Sequence, residues 1–115
     1  MSKSSRHAAT VRLLKSAALF AALGDGTRLE IVARLADGSQ QSITQLTEAA
    51  SVTRQAITKH LKVLETAGVV SCTRAGRETL YTLQPRSLEE AQRALAAVSA
   101  QWDDALARLK TFVEG

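Results

Sequence analysis

Residues 44–70, "TQLTEAASVTRQAITKHLKVLETAGVV", constrain the fold more than any other stretch. Two helical patterns meet here across about three residues around Ser51 and Val52. The first, within "SITQLTEAASV", is short, with Thr44 as its expected cap and Leu46 and Ala50 turned inward. The second starts at Thr53, whose hydroxyl suits an N-cap, and stops at Gly68. Two short helices joined this tightly make a helix-turn-helix. With Leu61 set at zero and ~100° added per residue, Ile57 and Leu64 fall within ~60° of it and form the buried stripe. Gln55, Lys59 and Lys62 fall on the far side, with Thr58 at its border and Arg54 in the first turn.

The rest of the chain supplies a frame for that pair. "MSKSSRHAAT" lacks the apolar stretch of a signal peptide and reads as a frayed polar tail over residues 1–7. Residues 8–115 read as one domain, the natural expectation for a 115-residue chain. Its first helix is expected from about Ala8 to Ala22 and its second in "GDGTRLEIVARLADG", capped by Asp25 or Thr27 and closed by Gly38. After the helix-turn-helix the period changes. "VVSCTRAGRETLYTL" holds two runs of strand formers, about 69–74 and 77–83, around a turn at Ala75-Gly76. Arg74 and Arg77 flank its tip. A last helix is expected over about 87–113, opened by a Ser87–Glu90 capping box. Along it Leu88, Ala91, Leu95, Val98, Trp102, Ala105, Leu109 and Phe112 recur at spacings of three and four, a sustained packing seam.

The expected fold is therefore mainly α with a small β-hairpin: a winged helix-turn-helix with long terminal helices. The recognition helix spans about 53–66 and the wing about 69–83. The terminal helices carry more apolar surface than so small a core needs. Val11 and Leu14 of the first, with Leu95, Val98, Trp102, Leu109 and Phe112 of the last, are the candidate dimer interface. A two-fold axis through that seam would present two recognition helices to successive major grooves, about 34 Å apart.

The formal charge is +4 and the pI about 9.7, which points to an anionic partner, nucleic acid first. Where the charge lies matters more than its total. Any surface helix has Lys and Gln on its wet side, so this helix alone leaves a solvated face and a DNA-reading face equally open. The order helix, tight turn, helix, arginine-tipped hairpin is more specific. In that arrangement Gln55 and Thr58 suit base edges, while Lys59, Lys62, Arg54, Arg74 and Arg77 suit phosphate or guanine. Double-stranded DNA and a second copy of the chain are the expected partners.

"ALGDGTRLEIVARL", "TRQAITKHLKVLETAGVV" and "RAGRETLYTL" together resemble the ArsR/SmtB family of bacterial winged-helix repressors. The likeness covers roughly residues 17–110, in matching order. The resemblance implies a cytoplasmic homodimer that represses by binding an inverted-repeat operator. It carries recognition contacts onto Gln55, Thr58 and Lys59, with Thr53 and Arg54 at the helix start, and wing contacts onto Arg74 and Arg77. Many relatives sense metals through paired cysteines or through His and acidic residues of the last helix. Here "SITQLTEAA" has no Cys, and the last helix has Asp103 and Asp104 but no His. His7, His60 and Cys72 are the only soft or borderline ligands, and their sequence positions give no sign that they converge. No metal and no cofactor is expected, and the long last helix with its Trp resembles the metal-free branch.

Other function classes are weaker. No nucleophile–base pair, phosphate loop or metal motif argues for an enzyme. One cysteine excludes an intramolecular disulfide and fits a reducing cytoplasm, and no apolar run is long enough to span a membrane. Cys72 reads as a small apolar residue of the hairpin and His60 as a residue at the core margin. Two alternatives stay open: a winged helix that binds protein through its helical seam, and a repressor released by a small organic ligand near Trp102.

Overall fold

The computed structural model describes residues 3–114, with side chains from His7 onward; Met1, Ser2 and Gly115 lie outside the described residues. The chain runs α1 (Lys3–Lys15), α2 (Ala17–Leu23), α3 (Gly26–Leu35), β1 (Gln41–Ser42), α4 (Ile43–Glu48), α5 (Arg54–Thr66), β2 (Val70–Ala75), β3 (Glu78–Leu83) and α6 (Pro85–Glu114). Residues 18–88 form one compact unit, and residues up to Ala17 with those from Glu89 onward form another.

The 18–88 unit is built around α5. Its Ile57, Leu61 and Leu64 are completely buried and close a core with Leu35, Leu46, Val69 and Val70. Full burial of each such side chain is worth about 1.5–3 kcal/mol relative to exposure. α3 packs against α5 and β3, and α4 packs against α5. Polar bonds fasten the helix ends. Asp25 caps α3 by accepting from the Arg28 N–H, and Arg34 donates to the Ala49 carbonyl just past α4, at 2.9 Å.

The expected cap of α4 is corrected. Ser42, not Thr44, is the N-cap: its hydroxyl accepts from Gln45 N–H, and Gln45 Oε1 accepts from Ser42 N–H. This reciprocal box satisfies two otherwise orphaned amides, which Thr44 inside the helix cannot do. Ser42 is also half of a strand that the periodicity did not reveal. β1 pairs with β3 (Gln41 opposite Tyr81, Ser42 opposite Leu80), so the expected hairpin is the larger part of a three-stranded antiparallel sheet ordered β1-β3-β2.

The hairpin forms with Val70 opposite Leu83 and Ala75 opposite Glu78, leaving Gly76-Arg77 as a two-residue loop. Gly76 has φ +64 and no other loop residue is positive. A positive φ at the first central position alone is the requirement of a type II′ turn, whose twist suits the flanking strands. α5 ends as its sequence foretold: Gly68, at φ +78, donates its N–H to Glu65 O and Val69 donates to Leu64 O.

α6 starts two residues before the expected cap. Pro85 takes the first helical position, where its missing N–H costs nothing. Ser87 is therefore inside the helix, and its hydroxyl donates to the Gly68 carbonyl at 2.6 Å.

In the other unit two expectations change. α1 begins at Lys3, inside the stretch expected to be a frayed tail, because no Gly or Pro interrupts Lys3–Lys15. The single helix expected over Ala8–Ala22 is broken at Ser16. Its N–H is shared between the Arg12 and Leu13 carbonyls, and its hydroxyl donates back to Arg12 O at 3.2 Å, a competition that disturbs helical bonding. Small residues are enclosed in this unit: Ala9, Ala91 and Ala94 are buried. Val11 and Val98 are half-buried, whereas Leu14, Leu95, Trp102, Leu109 and Phe112 are exposed, Trp102 at 65% and Phe112 at 83%. No helix among the described residues is long and apolar enough to cross a membrane.

Candidate nucleic-acid interface

The buried stripe of α5 fixes which residues face outward. Arg54, Gln55, Thr58, Lys59 and Lys62 are all exposed. Four of them, Arg54, Gln55, Thr58 and Lys59, line one shallow depression of about 430 Å³ on the first two turns. Their hydrogen-bonding freedom differs. Thr53 Oγ1 accepts from Ala56 N–H at 3.2 Å, so its oxygen is the helix cap. Thr58 donates its hydroxyl proton to Arg54 O at 2.9 Å, which leaves that oxygen free only as an acceptor. The Gln55 amide and the Lys59 and Lys62 ammonium groups have no partner among the described residues.

Arg54 plays a part that its sequence position did not disclose. Its guanidinium donates to Thr44 Oγ1 at 2.9 Å, tying the start of α5 to α4. With Ser42, Ile43, Thr44 and Thr79 it lines a cleft of about 250 Å³ that also receives Arg77 and Glu78 from the wing tip. The structure thus brings Arg54 and Arg77 to one cleft. Arg74, opposite Thr79 on β2, is exposed and lies outside it.

A second polar constellation lies behind α5. Arg28 donates through Nε to Ala22 O, through Nη2 to Ala21 O at 3.4 Å, and through Nη1 to His60 Nδ1 at 3.2 Å. The carboxylate of Asp25 stands 3.8 Å from the same His60 nitrogen. Capping the Arg28 N–H holds the Asp25 carboxyl below its usual range, helped by the nearby Arg28 charge. Sequence reasoning placed His60 at the core margin but missed its partner, 32 residues away.

Cys72 is exposed on β2, where the neighbouring Glu65 carboxylate, with some desolvation, pushes the thiol up from its ordinary value. Among the described residues no group of three or more His, Cys, Asp or Glu side chains could hold a metal ion.

Comparison with known proteins agrees with this geometry. A helix-turn-helix domain family matches residues 23–73. The HTH-type transcriptional repressor SmtB of Mycobacterium tuberculosis is 39% identical over 88 residues, 76% of this chain. The match spans 63% of that repressor's length, less than two thirds. An uncharacterized HTH-type transcriptional regulator of Bacillus subtilis, YuzN, is 44% identical over 66 residues, 52% of this chain and 72% of its own length. Among solved structures, an ArsR-like transcriptional regulator from Rhodococcus sp. RHA1 superposes with a TM-score of 0.75 at 39% identity, covering 86% of this chain and 92% of that one.

Proposed function

The chain belongs to the ArsR/SmtB family of winged helix-turn-helix transcriptional regulators, and on that premise we propose that it is a cytoplasmic, homodimeric repressor that reads an inverted-repeat operator through α5 and its wing. The observation that carries this reading is the depression at the start of α5, where Arg54, Gln55, Thr58 and Lys59 converge beside the Arg77 cleft.

The roles follow from the free valences. Gln55 offers both a donor and an acceptor to a base edge, the pairing that suits adenine. Thr58, with its proton committed to Arg54 O, accepts from an exocyclic amine of adenine or cytosine. Lys59 and Lys62 supply point charges. Arg54 and Arg77 hold phosphate near the wing, which fixes register without reading sequence. The exposed face of Leu14, Leu95, Trp102, Leu109 and Phe112, with half-buried Val11 and Val98, is the dimer seam. It supplies the two-fold axis that an inverted repeat requires.

The test is fluorescence anisotropy with DNA from upstream of the chain's own coding sequence, against a scrambled duplex, at two salt concentrations. Gln55→Ala with Thr58→Ala should bring the two affinities together. Arg77→Ala should weaken both equally and lower the salt slope by about 0.9 for each phosphate that the protein no longer neutralises. Unchanged binding in all these variants would place the DNA surface elsewhere.

A further inference from the structure

A groove runs along the side of α5 that faces neither the core nor the proposed base contacts. It measures about 670 Å³, within the range of small-molecule sites. Its walls are Ala18, Ala21 and Ala22 of α2 on one side and Val63, Thr66 and Ala67 at the end of α5 on the other. The remaining lining residues are Arg28, Lys59 and Lys62, so the groove has an apolar floor, three cations and no acid. Val63 is 41% exposed on a helix whose other large apolar residues, Ile57, Leu61 and Leu64, are fully buried.

We infer that this groove binds a small carboxylate with an apolar body, and that such a ligand opposes DNA binding. Charge complementarity selects the class. An uncharged apolar molecule would leave the three cations unused, and a cation would be repelled by them. Arg28 is held in place: three of its five N–H groups are committed to Ala22 O, Ala21 O and His60, and the other two remain for an anion. Lys59 and Lys62 are free to fold over a carboxylate at the mouth, while the alanines and Val63 take its body.

Lys59 gives the site its consequence. It lines both this groove and the depression with Arg54, Gln55 and Thr58. A carboxylate paired with Lys59 and Lys62 neutralises two charges that the proposed DNA surface uses. Ligand and operator then compete, and each must weaken the other by the same factor. This consequence rests on the DNA-binding reading of α5; the ligand site itself does not.

The test therefore has two arms on the full chain. In the first, decanoate and decanol are titrated below their aggregation limits, and backbone amide shifts are followed by NMR. Decanoate should move amides around Ala18, Ala21, Val63 and Ala67, and decanol should bind about tenfold more weakly, the value of one charge-assisted hydrogen bond. Ala21→Trp, at an exposed position, should fill the groove and abolish those shifts. Val63→Glu should do the same by repulsion, as a check that does not depend on the tryptophan's packing. Shifts confined to the exposed face around Trp102 and Phe112, or equal affinity for the alcohol, would overturn the site. In the second arm, saturating decanoate should weaken operator binding about tenfold in the parent and not in Ala21→Trp. A protein that binds decanoate in the groove but never binds DNA would leave the site standing and remove the repressor reading. Operator binding that ignores a groove-bound decanoate would overturn the competition.

Discussion

The 18–88 unit and the long part of α6 both carry a regular apolar stripe, yet only the first encloses it. In α5, Ile57, Leu61 and Leu64 are sealed within their own unit. In α6 the enclosed residues are Ala91 and Ala94, while Leu95, Trp102, Leu106, Leu109, Phe112 and Val113 face outward. The same 3.6-residue pattern thus serves two purposes. One stripe makes a core; the other is exposed apolar surface, larger than a scattering of single exposed leucines would explain. Periodicity alone does not distinguish the two, because it reports that a face is apolar and not what covers it.

The largest expected effect comes from charging the open stripe. Trp102→Glu with Leu109→Glu should turn a species of twice 12.3 kDa into one of 12.3 kDa by sedimentation equilibrium. Affinity for a two-half-site operator should fall about a hundredfold, as the second half-site loses its tethered reader. A doubly charged variant that still sediments as a dimer would move the seam elsewhere.

Truncation sharpens the contrast. Leu61→Ala empties a completely buried site and should cost about 2–5 kcal/mol in urea denaturation, whatever the protein concentration. Leu109→Ala should cost less at high protein concentration than at low, since its partner is supplied by association. Equal, concentration-independent losses at both sites would erase the distinction.

The smallest effect is local to the enclosed unit. The Glu65 carboxylate raises the Cys72 thiol, which lowers its thiolate fraction near neutral pH. Glu65→Gln removes the charge, so the midpoint of iodoacetamide alkylation against pH should move down and the rate at about pH 8 should rise a few-fold. No change would mean that the exposed thiol is governed by solvent alone.

Much of the fold was written locally. Thr53, Gly38 and Gly68 announce helix ends because each meets a requirement settled within a few residues: a free side-chain oxygen, or a positive φ. The turn at Gly76 is legible for the same reason. The cap of α4 was equally local, in the "SITQ" of residues 42–45, but Thr44 offered a competing hydroxyl inside the first turn, past the position from which a cap can act. β1 was illegible because two residues have no period; they become a strand only through Tyr81 and Leu80, about forty residues on. The outward set on α5 could be placed by angle, since one buried stripe fixes the whole helix. Its division into a capping Thr53, a back-bonded Thr58 and an Arg54 leaning on Thr44 could not, because those are choices among rotamers. Nor could the Arg28–His60 pairing, which depends on α3 and α5 being neighbours.

Among the described residues the order β1-β3-β2 leaves β2 as an edge strand, with one flank of backbone donors and acceptors outside the sheet. Its exposed residues include Thr73 and Cys72, good material for adding a strand, and one cation, Arg74. Arg74 is therefore a guard against sheet-to-sheet clumping as well as a candidate phosphate ligand. Concentrated stocks of Arg74→Ala should precipitate sooner than those of Arg77→Ala, whose charge sits in the turn. Charge reversal at residue 74 should keep the protein in solution while removing the attraction to DNA, so the two duties of one arginine can be separated by the sign of its replacement.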